Sequence, residues 1–155
     1  MKHIALTLLF LAALPLKAED PQGFAYWTSE HLKGFEQRLA PKINSQMVAN
    51  EQLASYGNHS LIVTHREGSG EAEIHKSVVD IFVVQSGHAT LLVGGTLIEG
   101  RNTGPGEIRG TAITGAEKRQ LAAGDIAHIP AGMPHQVTVE KGEQLTYVIV
   151  KINAD

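Results

Sequence analysis

Two histidines and two acidic residues occupy positions from which their side chains could meet at one site. Glu73 and His75 are two residues apart in a short apolar run, and side chains at that spacing point to the same face of a β-strand. Asp80 opens the next apolar run, and His135 follows a turn that contains Pro and Gly. If these strands adjoin in a barrel, the imidazole and carboxylate groups converge, which predicts a divalent-cation site.

The same side chains could also work without a cation. Carboxylates and imidazoles that are held together perturb each other's protonation, because nearby acids raise each other's pKa values. Glu73 and His135 would then act as a general acid and base, and they are the candidate catalytic residues. From the residues alone, a metal centre and a metal-free acid–base pair both stay open.

The amino-acid composition limits the ligands and the partners. The chain has 155 residues and no cysteine, so nitrogen and oxygen ligands would hold a metal, which suits iron, manganese, zinc, nickel or copper. A formal net charge of −3 and the lack of a basic patch argue against nucleic acid as a partner. The length suits one domain, and hence one site.

The N-terminal residues 1–18 are typical of a signal peptide. A weakly basic start precedes an apolar stretch over Ile4–Leu14 and a break before cleavage near Ala18. The apolar stretch is too short to span a bilayer. We therefore expect a secreted or periplasmic protein that has no membrane partner after cleavage.

Residues 19–59 are predicted to form an N-terminal helical segment. Thr28 or Ser29 can cap a first helix that carries apolar residues at helical spacing. A second helix can begin at Asn44 or the next residue, and Gly57 is placed to end it. We expect both helices to cover one end or face of a β domain.

From residue 60 the pattern changes to short apolar runs separated by glycine, which is typical of an all-β sandwich or barrel. Segment 94–119 is richer in Gly, Thr and charge, and we expect an excursion with at most short strands there. Apolar residues on both faces of Val79–Val84 predict that a homodimer interface covers one face. The predicted β-barrel domain is 60–155.

Two segments of the chain resemble the paired motifs of the cupin superfamily. The second motif reads Gly, five residues, Pro-x-Gly, two residues, His, and the stretch from Gly124 to His135 matches it in full. The first motif reads Gly, His-x-His, Glu, Gly and is matched in part. His75 falls at its second His and Asp80 at its Glu, whereas Glu73 falls where the first His would be.

The resemblance covers about residues 71–152 and implies a jelly-roll cupin β-barrel. In cupins, two His and one Glu of the first motif and the His of the second hold a metal. Carried over by position, this implies metal ligands at Glu73, His75, Asp80 and His135. The carboxylate of Glu73 in place of an imidazole adds negative charge and favours a harder ion.

Two functions follow as expectations. In the first, the exported protein binds a divalent metal and acts on a small oxygen-rich molecule, and Arg101 or Arg109 pairs with a carboxylate on that substrate. In the second, the protein is a non-catalytic cupin that binds or senses a small ligand and has a degenerate metal site. Cupin folds host enzymes and non-catalytic proteins alike, so the fold does not choose between them.

Overall fold

The computed structural model describes residues 20–154, so the predicted signal peptide lies outside the described residues. No helix within that range is both long and apolar enough to cross a membrane. The described chain is mainly antiparallel β-sheet with a short helical start, which confirms the predicted fold class.

Within residues 20–154, two short helices and a 3₁₀ turn precede twelve strands. The helical elements are α1 (Ser29–Lys33), α2 (Phe35–Leu39) and the 3₁₀ turn at Ala40–Lys42. The strands are β1 (Val48–Ser55), β2 (His59–Arg66), β3 (Ala72–His75), β4 (Val78–Val93), β5 (Thr96–Ile98), β6 (Arg101–Gly104), β7 (Glu107–Gly110), β8 (Ala112–Thr114), β9 (Glu117–Ala122), β10 (Ile126–Ile129), β11 (His135–Thr138) and β12 (Leu145–Asn153).

Ten of the twelve strands form two walls that share β4, the longest strand, and β5 and β8 form a separate pair. One wall has the order β1-β2-β12-β4-β10, and the other has the order β6-β7-β3-β11-β4-β9. The first half of β4 pairs with β12 and β10, and its second half pairs with β11 and β9. The main core packs between the walls and consists largely of Phe82, Val84, Leu91, Leu121, Ile129, Val137, Leu145 and Tyr147.

Gly87 lies in the middle of β4, where the strand passes from one wall to the other. Its φ is +81°, in the left-handed region that favours glycine. A Cβ atom at this position would lie 1.9 Å from the carbonyl oxygen of Gln144. Only glycine therefore lets β4 approach the start of β12 this closely.

The predicted second helix from Asn44 to Gly57 is wrong, because strand β1 occupies most of that span and pairs with β2. The Asn44 side chain accepts hydrogen bonds from the backbone N–H groups of Gln46 and Val48, as a helix cap would. The turn that it stabilises includes Met47 at φ +57°, however, and leads into a strand. Pairing with β2 overrides the local helical pattern.

Helix α2 covers part of the outer face of the first wall, as expected for the first of the two predicted helices. Phe35 and Leu39 of α2 are almost fully buried against Ala49, Val63 and Val148. Val83 also packs against this cluster, so the chain itself covers part of the second apolar face of β4. Dimerisation stays a prediction.

Segment 94–119 contains the short strands β5 to β8. β5 pairs with β8, and β7 pairs with β3, the strand that carries Glu73 and His75. The excursion therefore reaches the candidate site, and its side chains contribute to that site as described below.

Candidate metal centre

The structure brings all four predicted ligands together. Glu73 and His75 project from β3, Asp80 from β4 and His135 from β11, and His135 lies opposite Glu73 in the β11–β3 pair. One ligand atom from each side chain lies within 4.8 Å of the other three. We refer to these residues as the four-residue cluster.

The closest approaches within the four-residue cluster involve the two imidazoles. His135 Nε2 lies 3.2 Å from Glu73 Oε1 and 3.8 Å from Asp80 Oδ2. His75 Nε2 lies 3.4 Å from Asp80 Oδ2 and 3.7 Å from Glu73 Oε2. The shorter side chain of Asp80 thus reaches both rings.

The orientation of His135 leaves its Nε2 atom without a hydrogen-bond partner. Nδ1 donates to the backbone carbonyl oxygen of Met133 at 3.0 Å, so the neutral ring carries its lone pair on Nε2. In the neutral ring, Nε2 is buried and makes no hydrogen bond within residues 20–154, whereas a protonated ring would place this N–H 3.2 Å from Glu73 Oε1. Buried polar atoms are nearly always paired, and an unpaired lone pair that faces other acceptors is the arrangement expected of a metal ligand.

His75 is held by a carboxylate on its far side. Its Nδ1 atom lies 2.8 Å from both carboxylate oxygens of Glu107 on β7, to which the ring N–H donates. This contact fixes the tautomer and turns the Nε2 lone pair toward the four-residue cluster. A carboxylate behind a histidine ligand is a recurrent feature of metal sites, where it orients the ring and raises its basicity.

Arg109 neutralises part of the negative charge around the site. Its Nη2 atom lies 3.1 Å from Glu73 Oε2, and its Nη1 atom lies 2.9 Å from Glu107 Oε2. Burial raises the pKa of Glu73, but His135, Arg109 and His75 outweigh burial and lower that pKa to about 2. Glu73 is therefore a carboxylate at neutral pH.

A cation of the chain itself also contacts the four-residue cluster. Lys151 Nζ donates to Asp80 Oδ1 at 2.8 Å and Oδ2 at 2.9 Å, and it lies 3.1 Å from His75 Nε2. Burial raises the pKa of Asp80, but contacts with His75 and Lys151 outweigh burial and lower it. Burial and the nearby Lys151 lower the pKa of His75, but the Asp80 and Glu73 carboxylates outweigh both and raise it. The carboxylates of Asp80 and Glu73 thus favour a positive charge beside them.

Three members of the four-residue cluster, Glu73, His75 and Asp80, line a cavity of about 610 Å³. Arg66 and Tyr147 also line this cavity. The Nε atom of Arg66 is buried without a hydrogen-bond partner, and among the described residues Arg66 has no carboxylate partner. Gly70 allows the guanidinium to lie close to the backbone, because a Cβ there would be 2.7 Å from Nη1.

Arg101 and Arg109, which were predicted to bind a substrate carboxylate, are already paired with carboxylates of the chain. Arg109 is paired with Glu73 and Glu107, and exposed Arg101 is paired with Glu71. Sequence reasoning missed Glu107, Lys151 and Arg66. The sequence pattern of β12 could have indicated Lys151. This lysine shares a strand face with Tyr147 and Ile149, and it is a charged residue among apolar ones on that face.

The residues present fit a divalent cation. All four inner ligand atoms are lone-pair acceptors: two carboxylate oxygens and two imidazole nitrogens whose other nitrogens are engaged. Metal–ligand bonds of about 2.1 Å allow ligand atoms about 4 Å apart, so small side-chain movements would bring these atoms together. A mixed imidazole and carboxylate set suits iron, manganese, zinc, nickel or copper.

Comparisons with known proteins identify the fold. No family model matches the chain, and no curated protein sequence matches it either. Among solved structures, TT1209 from Thermus thermophilus is 20% identical, with a TM-score of 0.54 over 77% of this chain and 94% of that one. A cupin-2 domain from Rhodospirillum rubrum is 18% identical, with a TM-score of 0.52 over 71% of this chain and 62% of that one.

The structural neighbours include an enzyme. DMSP lyase DddQ from Ruegeria pomeroyi DSS-3 is 16% identical, with a TM-score of 0.50 over 69% of this chain. The chain spans about half of that lyase, 47% of its length. These likenesses show that the chain has the cupin fold, as the motifs predicted.

Proposed function

We propose that this chain is an exported cupin-fold protein that binds a divalent metal ion through the four-residue cluster and acts on a small oxygen-rich molecule in the adjoining cavity. One observation carries the proposal. The buried Nε2 atom of His135, unpaired within residues 20–154, lies beside ligand atoms of Glu73, His75 and Asp80, and all four atoms lie within 4.8 Å of one another.

The residues around the cluster prepare it for this role. Glu107 holds the His75 ring from behind, the Met133 carbonyl oxygen holds the His135 ring, and Arg109 fixes the Glu73 carboxylate. A bound divalent ion would act as a Lewis acid toward a substrate oxygen. The β3, β4 and β11 strands keep the ligands in place.

The cavity offers Arg66 as an anchor for the substrate. Its Nε atom is buried and unpaired, and its guanidinium has no carboxylate partner among the described residues. Arginine binds carboxylates through paired hydrogen bonds. We therefore assign to Arg66 the carboxylate-binding role that the sequence had suggested for Arg101 or Arg109.

The decisive experiment is metal analysis of protein purified without a nickel column. We expect stoichiometric metal, or a rise in melting temperature when Mn²⁺ or Zn²⁺ is added to chelator-treated protein. His75→Ala and His135→Ala should abolish that rise. A wild-type protein that neither carries metal nor responds to these ions would refute the proposed metal centre.

A second candidate function is favoured by Lys151. Its ammonium group already contacts Asp80 and His75, so the fold has a cation at the cluster without any metal. A non-catalytic cupin that binds or senses a small ligand in the cavity would need only this ammonium group, and no metal, at the cluster. Such a protein would keep its ligand affinity after extensive chelation, whereas the metal-dependent protein would lose it.

Export and homodimerisation remain part of the proposal. Residues 1–18 supply the signal-peptide pattern, and mass spectrometry of protein recovered from the secreted or periplasmic fraction would locate the mature N-terminus. Size measurement in solution tests the dimer. A monomer would agree with the finding that α2 covers part of the outer apolar face of β4.

A further inference from the structure

We propose that Lys151 is an internal competitor for the metal: its ammonium group occupies the ligand atoms of Asp80 and His75 and has to leave before a divalent ion can bind to them. This inference rests on the proposed metal-binding function. It adds a residue that sets the affinity of the site, and it predicts that removing this residue improves metal binding.

The first step is that Lys151 engages two of the four ligands. Its Nζ atom lies 2.8 Å and 2.9 Å from the oxygens of Asp80 and 3.1 Å from His75 Nε2. The His75 ring already donates from Nδ1 to Glu107, so the lone pair on Nε2 is the one that a metal would need. A lone pair that accepts from an ammonium group cannot also bind a metal.

The second step is that the backbone enforces this contact. Lys151 lies directly opposite Asp80 in the pair between β12 and β4. Asp80 is 2% exposed, and a buried carboxylate requires a partner. The sheet register therefore places the ammonium group at Asp80 whenever no other cation is present.

The third step is that Lys151 can move away. Its side chain is 27% exposed and lines the cavity of about 610 Å³. The flexible four-carbon stem allows the ammonium group to turn into this space and regain water. The backbone of β12 need not change, so the exchange requires only a new side-chain rotamer.

Charge balance favours such an exchange. Three carboxylates, from Glu73, Asp80 and Glu107, face two cationic side chains, Arg109 and Lys151, which leaves a formal charge of −1. Replacing the ammonium group with a divalent ion leaves the group neutral. The observed association constant for metal would equal that of the open site multiplied by the fraction of molecules in which Lys151 has moved away.

The test compares Lys151→Met with a matched control, Lys76→Met. Lys76 is exposed in the turn directly after His75, so its substitution removes the same charge near the site without touching the cluster. Mn²⁺ and Zn²⁺ would be titrated separately into chelator-treated full-length protein by calorimetry. We expect Lys151→Met to bind about 10- to 100-fold more tightly than wild type, the value of losing hydrogen bonds to charged groups. Lys76→Met should bind as wild type does.

Melting temperature provides a second readout. Without metal, Lys151→Met should melt below wild type, because buried Asp80 has lost its cation. Saturating Mn²⁺ should raise the melting temperature of this variant by more than it raises that of wild type. Lys151→Gln is the reserve variant if Lys151→Met does not fold, and a gain in affinity is expected for it as well.

The outcomes separate this inference from the proposed function. Equal affinities in wild type and Lys151→Met would overturn the competitor role and leave the metal centre intact. Binding only in Lys151→Met would support the competitor role and count against a metal-dependent wild type. If neither protein binds either ion, both proposals are refuted.

Discussion

The imidazole of His75 lies between the carboxylates of Glu107 and Asp80. Its Nδ1 atom is 2.8 Å from both carboxylate oxygens of Glu107, and its Nε2 atom is 3.4 Å from Asp80 Oδ2. Glu107 belongs to β7 of the excursion, whereas His75 belongs to β3. The pairing of these two strands places residues that are 32 positions apart in direct contact. The excursion thus orients a ligand of the candidate centre.

Glu107→Ala should weaken metal binding about 10- to 100-fold, the usual effect of losing a group that orients a metal-bound histidine. Without this carboxylate the ring can rotate and is less basic. Glu107→Gln should weaken binding less, because the amide oxygen still accepts from Nδ1. Calorimetric titration with Mn²⁺ or Zn²⁺ would measure both effects.

The matched control for this prediction is Glu117→Ala. Glu117 is an acid of the same excursion, but its side chain is 74% exposed, and among residues 20–154 it pairs only with exposed Arg119. Its removal should leave metal affinity unchanged. Equal losses in the two alanine variants would mean that overall charge, and not the His75 contact, sets the affinity.

The four-residue cluster could be predicted because its signals are local. Alternation within β3 puts Glu73 and His75 on one face, and the Pro and Gly turn before β11 fixes the direction of His135. Lys151 and Glu107 could not be placed in the same way. They lie 76 and 32 positions from His75, and only the sheet register brings them to it.

The β1 strand shows the same limit for the fold. Asn44 makes the hydrogen bonds of a cap, and a cap alone does not say whether a helix or a strand follows. The choice depends on β2, which lies after the next turn and offers a pairing edge. Secondary structure in this segment is therefore set by a tertiary contact that composition does not reveal.

His135→Ala should abolish the metal-induced rise in melting temperature. At a metal concentration of about 100 times Kd, binding adds about 2.7 kcal/mol to the free energy of unfolding, which raises the melting temperature by several degrees. His128→Ala is the matched control, since His128 lies in the same motif but is exposed on β10. If His135→Ala still responds to metal as wild type does, this histidine is not a ligand.

Gly87→Ala should destabilise the fold by about 2–5 kcal/mol, combining the left-handed backbone with a steric clash. The new Cβ would lie 1.9 Å from the carbonyl oxygen of Gln144. Gly142→Ala is the matched control, because its φ is +87° but a Cβ there would meet no atom within 4 Å. Gly142→Ala should lower the free energy of unfolding by about 1–2 kcal/mol, which is the contribution of the left-handed backbone alone. Urea unfolding of both variants would separate the two contributions.

Arg66→Gln should reduce the affinity of the cavity for small carboxylates about 10- to 100-fold, because charged hydrogen bonds are lost. Malonate and citrate, added to protein without and with Mn²⁺, are suitable probes, with melting temperature and calorimetry as readouts. Arg101→Gln is the control, since Arg101 is 53% exposed and pairs with Glu71. Equal effects of the two substitutions would show that the probes respond to general positive charge.

Gly70→Ala tests the position of the same guanidinium without removing its charge. A Cβ at residue 70 would lie 2.7 Å from Nη1 and 3.0 Å from Cζ of Arg66. Those atoms are the end of a flexible side chain, so the guanidinium should move while the backbone stays in place. We expect weaker binding of malonate and citrate with little change in melting temperature. If Gly70→Ala binds both probes as wild type does while Arg66→Gln does not, charge alone accounts for the role of Arg66.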